Sequence, residues 1–426
     1  MAAKPQIGDA LAFWGIMSSG SAIAQCTFEA MHASCPVLGG TKWVAAKYFR
    51  ESPHNLPCFK EALSSSSGEP AVADAPSTAR KFGRSKIFCH TSSVGEPAPK
   101  PVSLPIPEEL RTTFEELTFK RRLGRGAGGE VVLATWRGKD VAVKVILPEL
   151  ALIPARADKF AREAMILAPL RHPNVLQLLA VTTEAPDLGL VTEVAARGNL
   201  LACLEAQNEG RMPEAEDLAQ RLRWARDTAR GMSYLHTREP PVIHRDIKPL
   251  QILIHEDWHA ILADFGTAAT TDEIAREHEK ASQFLAKGGR LDGYGTSEYM
   301  APEVLWGDPC TPASDTYSFG ITLFHIFSGE YPWKNNGSGG VESVINNMGH
   351  TKQEMWRRVA RAKERPRSRS PLPGPPELHR LMESCWAAKP EERPTMGSVA
   401  EQLQEILSQV EASSSPTDGG GDESQN

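Results

Sequence analysis

Glycine recurs in Gly124-Arg-Gly126-Ala-Gly128-Gly129-Glu-Val131 at a spacing that suits an anion. Without a Cβ, backbone N–H groups there can approach phosphate oxygens. A dinucleotide fold uses the same spacing where a strand turns into a helix, but here the glycines run into Val131–Trp136, which is β-branched and strand-like. They therefore read as the bend of a hairpin. In Val141-Ala142-Val143-Lys144, strand alternation sends Ala142 and Lys144 to one face. Lys144 can then point beneath the glycines with Glu163 as its ionic partner, the plainer alternative being an edge lysine in water. The segment Val242-Ile-His244-Arg245-Asp246-Ile-Lys248-Pro249-Leu-Gln251-Ile-Leu253-Ile254 sets a polar loop between two apolar strands. Asp246 can accept a proton from an incoming hydroxyl, and Lys248 can balance charge on a transferred phosphoryl group. Asp264, in Asp264-Phe265-Gly266, offers the oxygen ligand that a hard cation such as Mg2+ takes. His244 and Phe265 read as packing residues rather than proton carriers.

These groups need elements to bring them together. Leu117–Leu123, Val131–Trp136 and Val141–Ile146 are predicted strands of an antiparallel meander, followed by a helix over Asp158–Ala168 and a strand over Leu188–Val194. Leu218–His236, Ser314–Ser328 and Met396–Val410 carry helical apolar spacing. The fold class is α+β, with a small β-rich lobe, a larger α-helical lobe and a cleft between them where a ligand would sit. Gly295-Thr296, Ala301-Pro302-Glu303, Asp315 and Cys385-Trp386 through Arg393-Pro394 read mostly as architecture. A Glu303–Arg393 ion pair is expected, and Asp315 at a helix start is expected to hold the polar loop by its backbone.

The chain has 426 residues, 41% hydrophobic and 23% charged, enough apolar side chains for a sizeable core. A net charge of −6 gives no general attraction for nucleic acid or an anionic membrane. The seven cysteines are scattered without a C-x-x-C pair, which points to a reducing compartment. No run approaches the ~18 apolar residues that span a bilayer. The expectation is a soluble, cytoplasmic protein without nucleic-acid binding or membrane insertion. Residues 61–107, rich in serine and proline, read as a disordered linker, and 411–426 as a disordered tail.

The order of glycine loop, Ala-x-Lys, helix Glu, His-Arg-Asp, Asp-Phe-Gly and Ala-Pro-Glu resembles the protein-kinase catalytic domain, over about residues 114–410 within a domain placed at 108–410. Leu190–Leu200 and Cys385-Trp386 are similar to the tyrosine-kinase-like group. Lys248 after Asp246, and Gly295-Thr296 before Tyr299, are similar to Ser/Thr-directed kinases, which brings Thr296 into the catalytic set. The resemblance implies ATP and Mg2+ as cofactors, protein Ser/Thr hydroxyls as substrates and an upstream activating kinase. It also implies that Thr192 guards the back of an adenine pocket, that Glu193–Ala195 form the hinge, and that Leu123, Val131, Ala142 and Leu253 line the pocket with Gly124, Gly126 and Gly129 over the phosphates. Asp264 and Gln251 are the implied metal ligands.

Two departures stand out. Gln251 replaces the family's asparagine and moves the amide outward by one methylene, which weakens metal positioning and leaves an ATP-binding pseudokinase scaffold as the alternative reading. Gly128 replaces an aromatic at the tip of the glycine loop, so the cover over the phosphates is expected to be more mobile. The segment between Gly266 and Gly295 is long and polar, and phosphate on Thr267, Thr270, Thr271 or Ser282 is expected to pair with Arg245. The basic run Arg357–Arg369 reads as a solvated face, with docking of an acidic substrate as the alternative.

Residues 4–49 look like the last strands of a prolyl 4-hydroxylase domain. By that resemblance His32 is the third ligand of Fe(II), and Lys42, ten residues later, binds the distal carboxylate of 2-oxoglutarate. The H-x-D pair that completes such a site should lie upstream, where this chain starts too late to contain it, and one histidine does not hold catalytic iron. Residues 1–60 are therefore read as a partial hydroxylase-like segment, a remnant, a fusion or a gene-assembly artefact, without hydroxylase activity.

Overall fold

A computed structural model describes residues 106–126, 129–151, 153–184, 187–212, 217–286, 295–334 and 355–414. Every described residue belongs to one compact unit, Arg80–Asn426.

The first lobe is a six-stranded sheet in the order β1-β5-β6-β4-β3-β2. Its strands are β1 (Arg111–Thr112), β2 (Leu117–Gly126), β3 (Gly129–Trp136), β4 (Lys139–Ile146), β5 (Leu178–Glu184) and β6 (Asp187–Thr192). The expected meander of β2, β3 and β4 is present, with Gly126 opposite Gly129 at the hairpin bend. Alternation also holds. Val141 and Val143 turn into a cluster with Leu117, Ala134, Ala180 and Val191, which leaves Ala142 and Lys144 on the opposite face.

The chain passes from β4 to α1 (Pro154–Leu167), whose Phe160, Ala164 and Leu167 are buried while Glu163 lies between them. The helix begins four residues earlier than Asp158 because Pro154 fits the first helical turn, where no N–H donor is needed. Two strands of this lobe were not anticipated from the sequence. Continuous burial of Leu178, Ala180 and Val181 hides the period of two in β5, and β1, parallel to it, is only two residues long.

The second lobe is helical. It contains α2 (Leu200–Asn208), α3 (Leu218–His236), the short strands β7 (Val242–Ile243), β8 (Ile252–Ile254), β9 (Ala260–Leu262) and β10 (Ala269–Thr270), then α4 (Thr271–Ala286), α5 (Pro302–Trp306), α6 (Pro312–Ser328), α7 (Pro376–Cys385) and α8 (Met396–Ser414). Asp217 caps α3 by accepting the Ala219 N–H at 3.0 Å, and Leu222, Ala225, Ala229 and Met232 face the core at helical spacing. Helix α6 starts on a Thr311/Ser314 capping box and ends at Gly329 in the left-handed region. Its Tyr317, Phe319, Leu323 and Phe324 are buried in the same core. Burying each such side chain stabilises the fold by about 1.5–3 kcal/mol before entropy is counted. Among the described residues no helix is long and apolar enough to cross a membrane.

Candidate active site

Lys144 sits in the middle of β4, between Val131 of β3 and Leu190 of β6. Its Nζ donates to Glu163 Oε1 at 2.7 Å and to Asp264 Oδ1 at 2.9 Å. One ammonium thus ties the sheet, helix α1 and the Asp-Phe-Gly segment together. Burial works against the charged lysine, but the two carboxylates outweigh it and raise its pKa above the ordinary value. Burial also pushes Asp264 up, and Lys144 overrides it to hold the carboxyl at about 2. Asp264 is therefore an anion at neutral pH, with its side chain 45% exposed to the cleft. Its left-handed backbone, φ 58°, precedes Phe265, which is buried against the edge of the His244 ring.

Asp246 lies on the loop between β7 and β8. Its Oδ1 accepts the Thr296 N–H at 3.0 Å and the Thr296 hydroxyl at 2.8 Å. Its Oδ2 accepts from Lys248 Nζ at 2.7 Å and from Gln251 Nε2 at 3.0 Å. Lys248 Nζ also donates to Thr296 Oγ1. The longer glutamine amide therefore still reaches the loop aspartate, and the backbone carbonyl of Gln251 accepts the Ala263 N–H at 2.8 Å, next to Asp264. Gln251 thus touches the Asp246 carboxylate with its side chain and the residue before Asp264 with its backbone. An ionised, cleft-facing carboxylate and an amide oxygen form a donor set that fits Mg2+.

The loop is held from behind. Asp315 at the start of α6 accepts the His244 N–H at 2.8 Å and the Arg245 N–H at 3.0 Å, and its Oδ2 lies 3.1 Å from His236 Nε2. Burial would raise Asp315, and His236 and the His244 N–H hold it below the usual carboxylate range. His244 is fully buried, with Nε2 2.9 Å from the Ala263 carbonyl, and packs as the sequence suggests. Gly295 has φ +86°, and a Cβ there would meet the Arg245 carbonyl at 2.4 Å. Only glycine lets Thr296 approach Asp246 this closely.

Across the cleft, Gly129 is required for a different reason from phosphate access: its Cβ would lie 2.0 Å from the Val145 carbonyl, so it lets β3 and β4 close up. Gly124 has nothing within 4 Å of such a Cβ and faces open space. Thr192, 7% exposed, lies with Oγ1 3.4 Å from the Ala142 carbonyl. Glu193 turns away, its Oε1 accepting the Gln177 N–H at 2.9 Å. Ala195 follows on the strand-to-helix connection, where its carbonyl accepts the Gly198 N–H. Leu253 lies on β8 opposite Ile261, and Leu123 exposes 40% of its surface.

Residues 117–403 match the family described as protein tyrosine and serine/threonine kinase. The chain belongs to that family. It is 31% identical over 318 residues to the serine/threonine-protein kinase CTR1 of Arabidopsis thaliana, covering 72% of this chain and 35% of that protein. To the human mitogen-activated protein kinase kinase kinase 10 it is 34% identical over 318 residues, covering 73% and 30%. To the human mitogen-activated protein kinase kinase kinase 11 it is 33% identical over 303 residues, covering 70% and 32%. The chain spans about a third of the length of these kinases.

Within the kinase domain, Arg245 has an ionic partner that the sequence did not suggest. Its Nη1 lies 2.7 Å from Glu277 Oε2, and Glu277 Oε1 is 2.9 Å from Arg162 of α1. Glu277 belongs to α4, a helix in the long polar segment after Gly266, for which the sequence reading named no element. A signal for it was present in Thr270-x-x-Glu273. Glu273 N donates to Thr270 Oγ1 at 3.3 Å and Glu273 Oε2 accepts the Thr270 N–H at 2.9 Å, a reciprocal capping box. Nothing in the sequence marked Glu277 or Arg162 as partners 115 residues apart. The Thr267 hydroxyl is likewise engaged, donating to the His244 carbonyl. The basic run is a solvated face only in part. Arg365 donates to the Trp386 carbonyl at 3.0 and 2.8 Å and lies over the Tyr317 ring, because the guanidinium can cap the end of α7. Gly128, the Ser282 side chain, residues 1–60, 61–105 and 415–426, and with them His32 and Lys42, lie outside the described residues.

Proposed function

We propose that this chain is a Ser/Thr protein kinase that transfers the γ-phosphoryl group of Mg-ATP to protein hydroxyls. The observation that carries the reading is the pairing of Lys144 with Glu163 and Asp264 at 2.7 and 2.9 Å, beside an Asp246 bound by Lys248 and Thr296. Lys144 would bind nucleotide phosphates, with Glu163 fixing its ammonium. Asp246 would orient the acceptor hydroxyl and take its proton, and Lys248 would offset charge on the phosphoryl group. Asp264 and Gln251 would hold Mg2+, which supplies charge neutralisation on the phosphates. Leu123, Val131, Ala142 and Leu253 would enclose the adenine, with Thr192 and Glu193–Ala195 at its back and edge.

The test is incorporation of labelled phosphate from ATP into a generic protein acceptor. Asp246→Asn is expected to abolish it, and equal incorporation by parent and variant would contradict the assignment. Gln251 bears on the scaffold alternative, which the relatives, named as kinases, do not support. The 3.0 Å contact to Asp246 supports a bracing role for the amide, so Gln251→Asn is expected to change the rate by less than about tenfold. A far larger gain from a near-zero parent rate would favour the scaffold.

Membership of the tyrosine-kinase-like group belongs to the same proposal, supported by the similarity to CTR1 and the two mitogen-activated protein kinase kinase kinases; action in the cytoplasm and dependence on an upstream kinase are proposed with it on the sequence reading alone. The likeness of residues 4–49 to a prolyl 4-hydroxylase is a separate proposal, of a remnant without activity. Uncoupled, iron-dependent decarboxylation of 2-oxoglutarate by the full chain would overturn it.

A further inference from the structure

The turn joining β8 to β9 carries His255-Glu-Asp257-Trp-His259, residues with no part in phosphoryl transfer. His255 N donates to the His259 carbonyl at 3.0 Å and Trp258 N to the His255 carbonyl at 3.1 Å, so the two histidines face each other across the hairpin. Their rings are 4.7 Å apart and tilted by 30°. Asp257 reaches between them: its Oδ1 is 3.1 Å from His255 Nδ1 and 2.5 Å from His259 Nδ1. One donor atom from each residue lies within 4.8 Å of the others, and among the described residues no other trio of His, Cys, Asp or Glu donors gathers so closely.

Two imidazole nitrogens and one carboxylate oxygen are a donor set for borderline divalent cations of the first transition row. Bonds of about 2.0–2.2 Å in a tetrahedron set donors roughly 3.3–3.5 Å apart. The two nitrogen-to-oxygen separations, 2.5 and 3.1 Å, are shorter than this by about an ångström or less, and all three donors already lie within 4.8 Å of one another. At present both Nδ1–H groups donate to the carboxylate. Binding through Nδ1 moves each proton to Nε2, replacing two hydrogen bonds with two metal bonds and leaving the rings neutral. Burial would raise Asp257, and the bonds from His259 and His255 hold it down at about 2, so the ligand is already anionic.

The turn is also rigid. Trp258, at φ 72°, accepts on its carbonyl from Trp224 Nε1 at 2.9 Å and Gln220 Nε2 at 3.2 Å, both on α3. Arg197 lies 3.7 Å over the Trp258 ring and donates to the Glu256 carbonyl at 3.0 Å. Donors fixed in this way lose little freedom when a ligand binds. Access is open, since the His255, Asp257 and His259 side chains are 28, 62 and 31% exposed. His255 also lines a groove of about 640 Å³ behind Glu193 and Val194. Water can complete the coordination.

We propose that His255, Asp257 and His259 form a binding site for one divalent transition-metal cation, with Zn2+ as the probe. The site is independent of the phosphoryl-transfer reading. The full chain, stripped of metal by a chelator and returned to a Mg2+ buffer, is titrated with Zn2+ by calorimetry and compared with a His255→Gln/His259→Gln double variant and with Asp257→Asn. The parent is expected to bind one equivalent more than the double variant, and Asp257→Asn to weaken that equivalent at least about tenfold. Equal stoichiometry and affinity in parent and double variant would overturn the proposal. Should the double variant fail to fold, Co2+ added to the parent decides: a visible ligand-field band that Asp257→Asn diminishes supports the site, and its absence ends it.

Discussion

Lys144 shows how a single residue can join three elements. The ammonium shared by Glu163 and Asp264 is held in place against the cost of burial by its own carboxylates, the preorganisation that the proposed phosphate contact would use. Lys144→Met is expected to lower phosphate transfer by about 100-fold or more, read as kcat/KM with saturating protein acceptor. A loss below about threefold would show that the ammonium does not touch the reacting phosphates. Asp264 makes a second residue-scale prediction. Its carboxyl is depressed from 3.8 to about 2 in the folded protein, so the stability it contributes is complete above pH ~4 and disappears as pH falls towards 2. Urea midpoints measured across that window should fall more steeply for the parent than for Asp264→Asn; parallel curves would mean that the Lys144 contact is absent in solution.

Helix α4 illustrates the element scale. The Thr270–Glu273 capping box starts it and Ile274 docks it beside Ile243 and Ala269, so that Glu277 reaches both Arg245 and Arg162. Arg245 is 3% exposed, and a carboxylate beside it relieves the burden of a buried charge. The same contact links α1, and hence Glu163, to the Asp246 loop. Loss of a hydrogen bond to a charged group costs about 1.5–3 kcal/mol, so Glu277→Gln is expected to lower transfer roughly tenfold. Unchanged turnover would separate the helix from activity. At this scale the sequence was unevenly legible. Helix α3 runs from Leu218 to His236 as its cap and apolar spacing indicate. Helix α4 went unread because one buried isoleucine among charged neighbours does not make a stripe, and β5 because burial on both faces erases alternation.

At the scale of the whole molecule, the C-terminal lobe depends on contacts between distant segments. Arg393 meets Glu303 in a two-pronged pair at 2.6 and 2.8 Å, with the arginine side chain completely buried, and it also donates to the Ala313 carbonyl. This pair was expected from the sequence. Removing one partner leaves the other charge unanswered, so Glu303→Ala is expected to destabilise the protein by about 3–5 kcal/mol, and a Glu303→Leu/Arg393→Met double variant by clearly less. Equal losses in chemical denaturation would rule out a coupled pair.

The sequence by itself determined which groups are present and which local elements carry them: a glycine hairpin, a lysine on the inner face of a strand, carboxylates on loops, and capped helices with apolar stripes. Those features are local, because backbone sterics and the periods of helix and strand act over a few residues. Only the tertiary structure decided that Lys144 holds two carboxylates at once, that Gln251 still reaches Asp246, and that Arg245 already has Glu277 as its partner. These are meetings of side chains many residues apart, selected by packing and by the need to pair buried charge, and no short-range spacing in the chain encodes them.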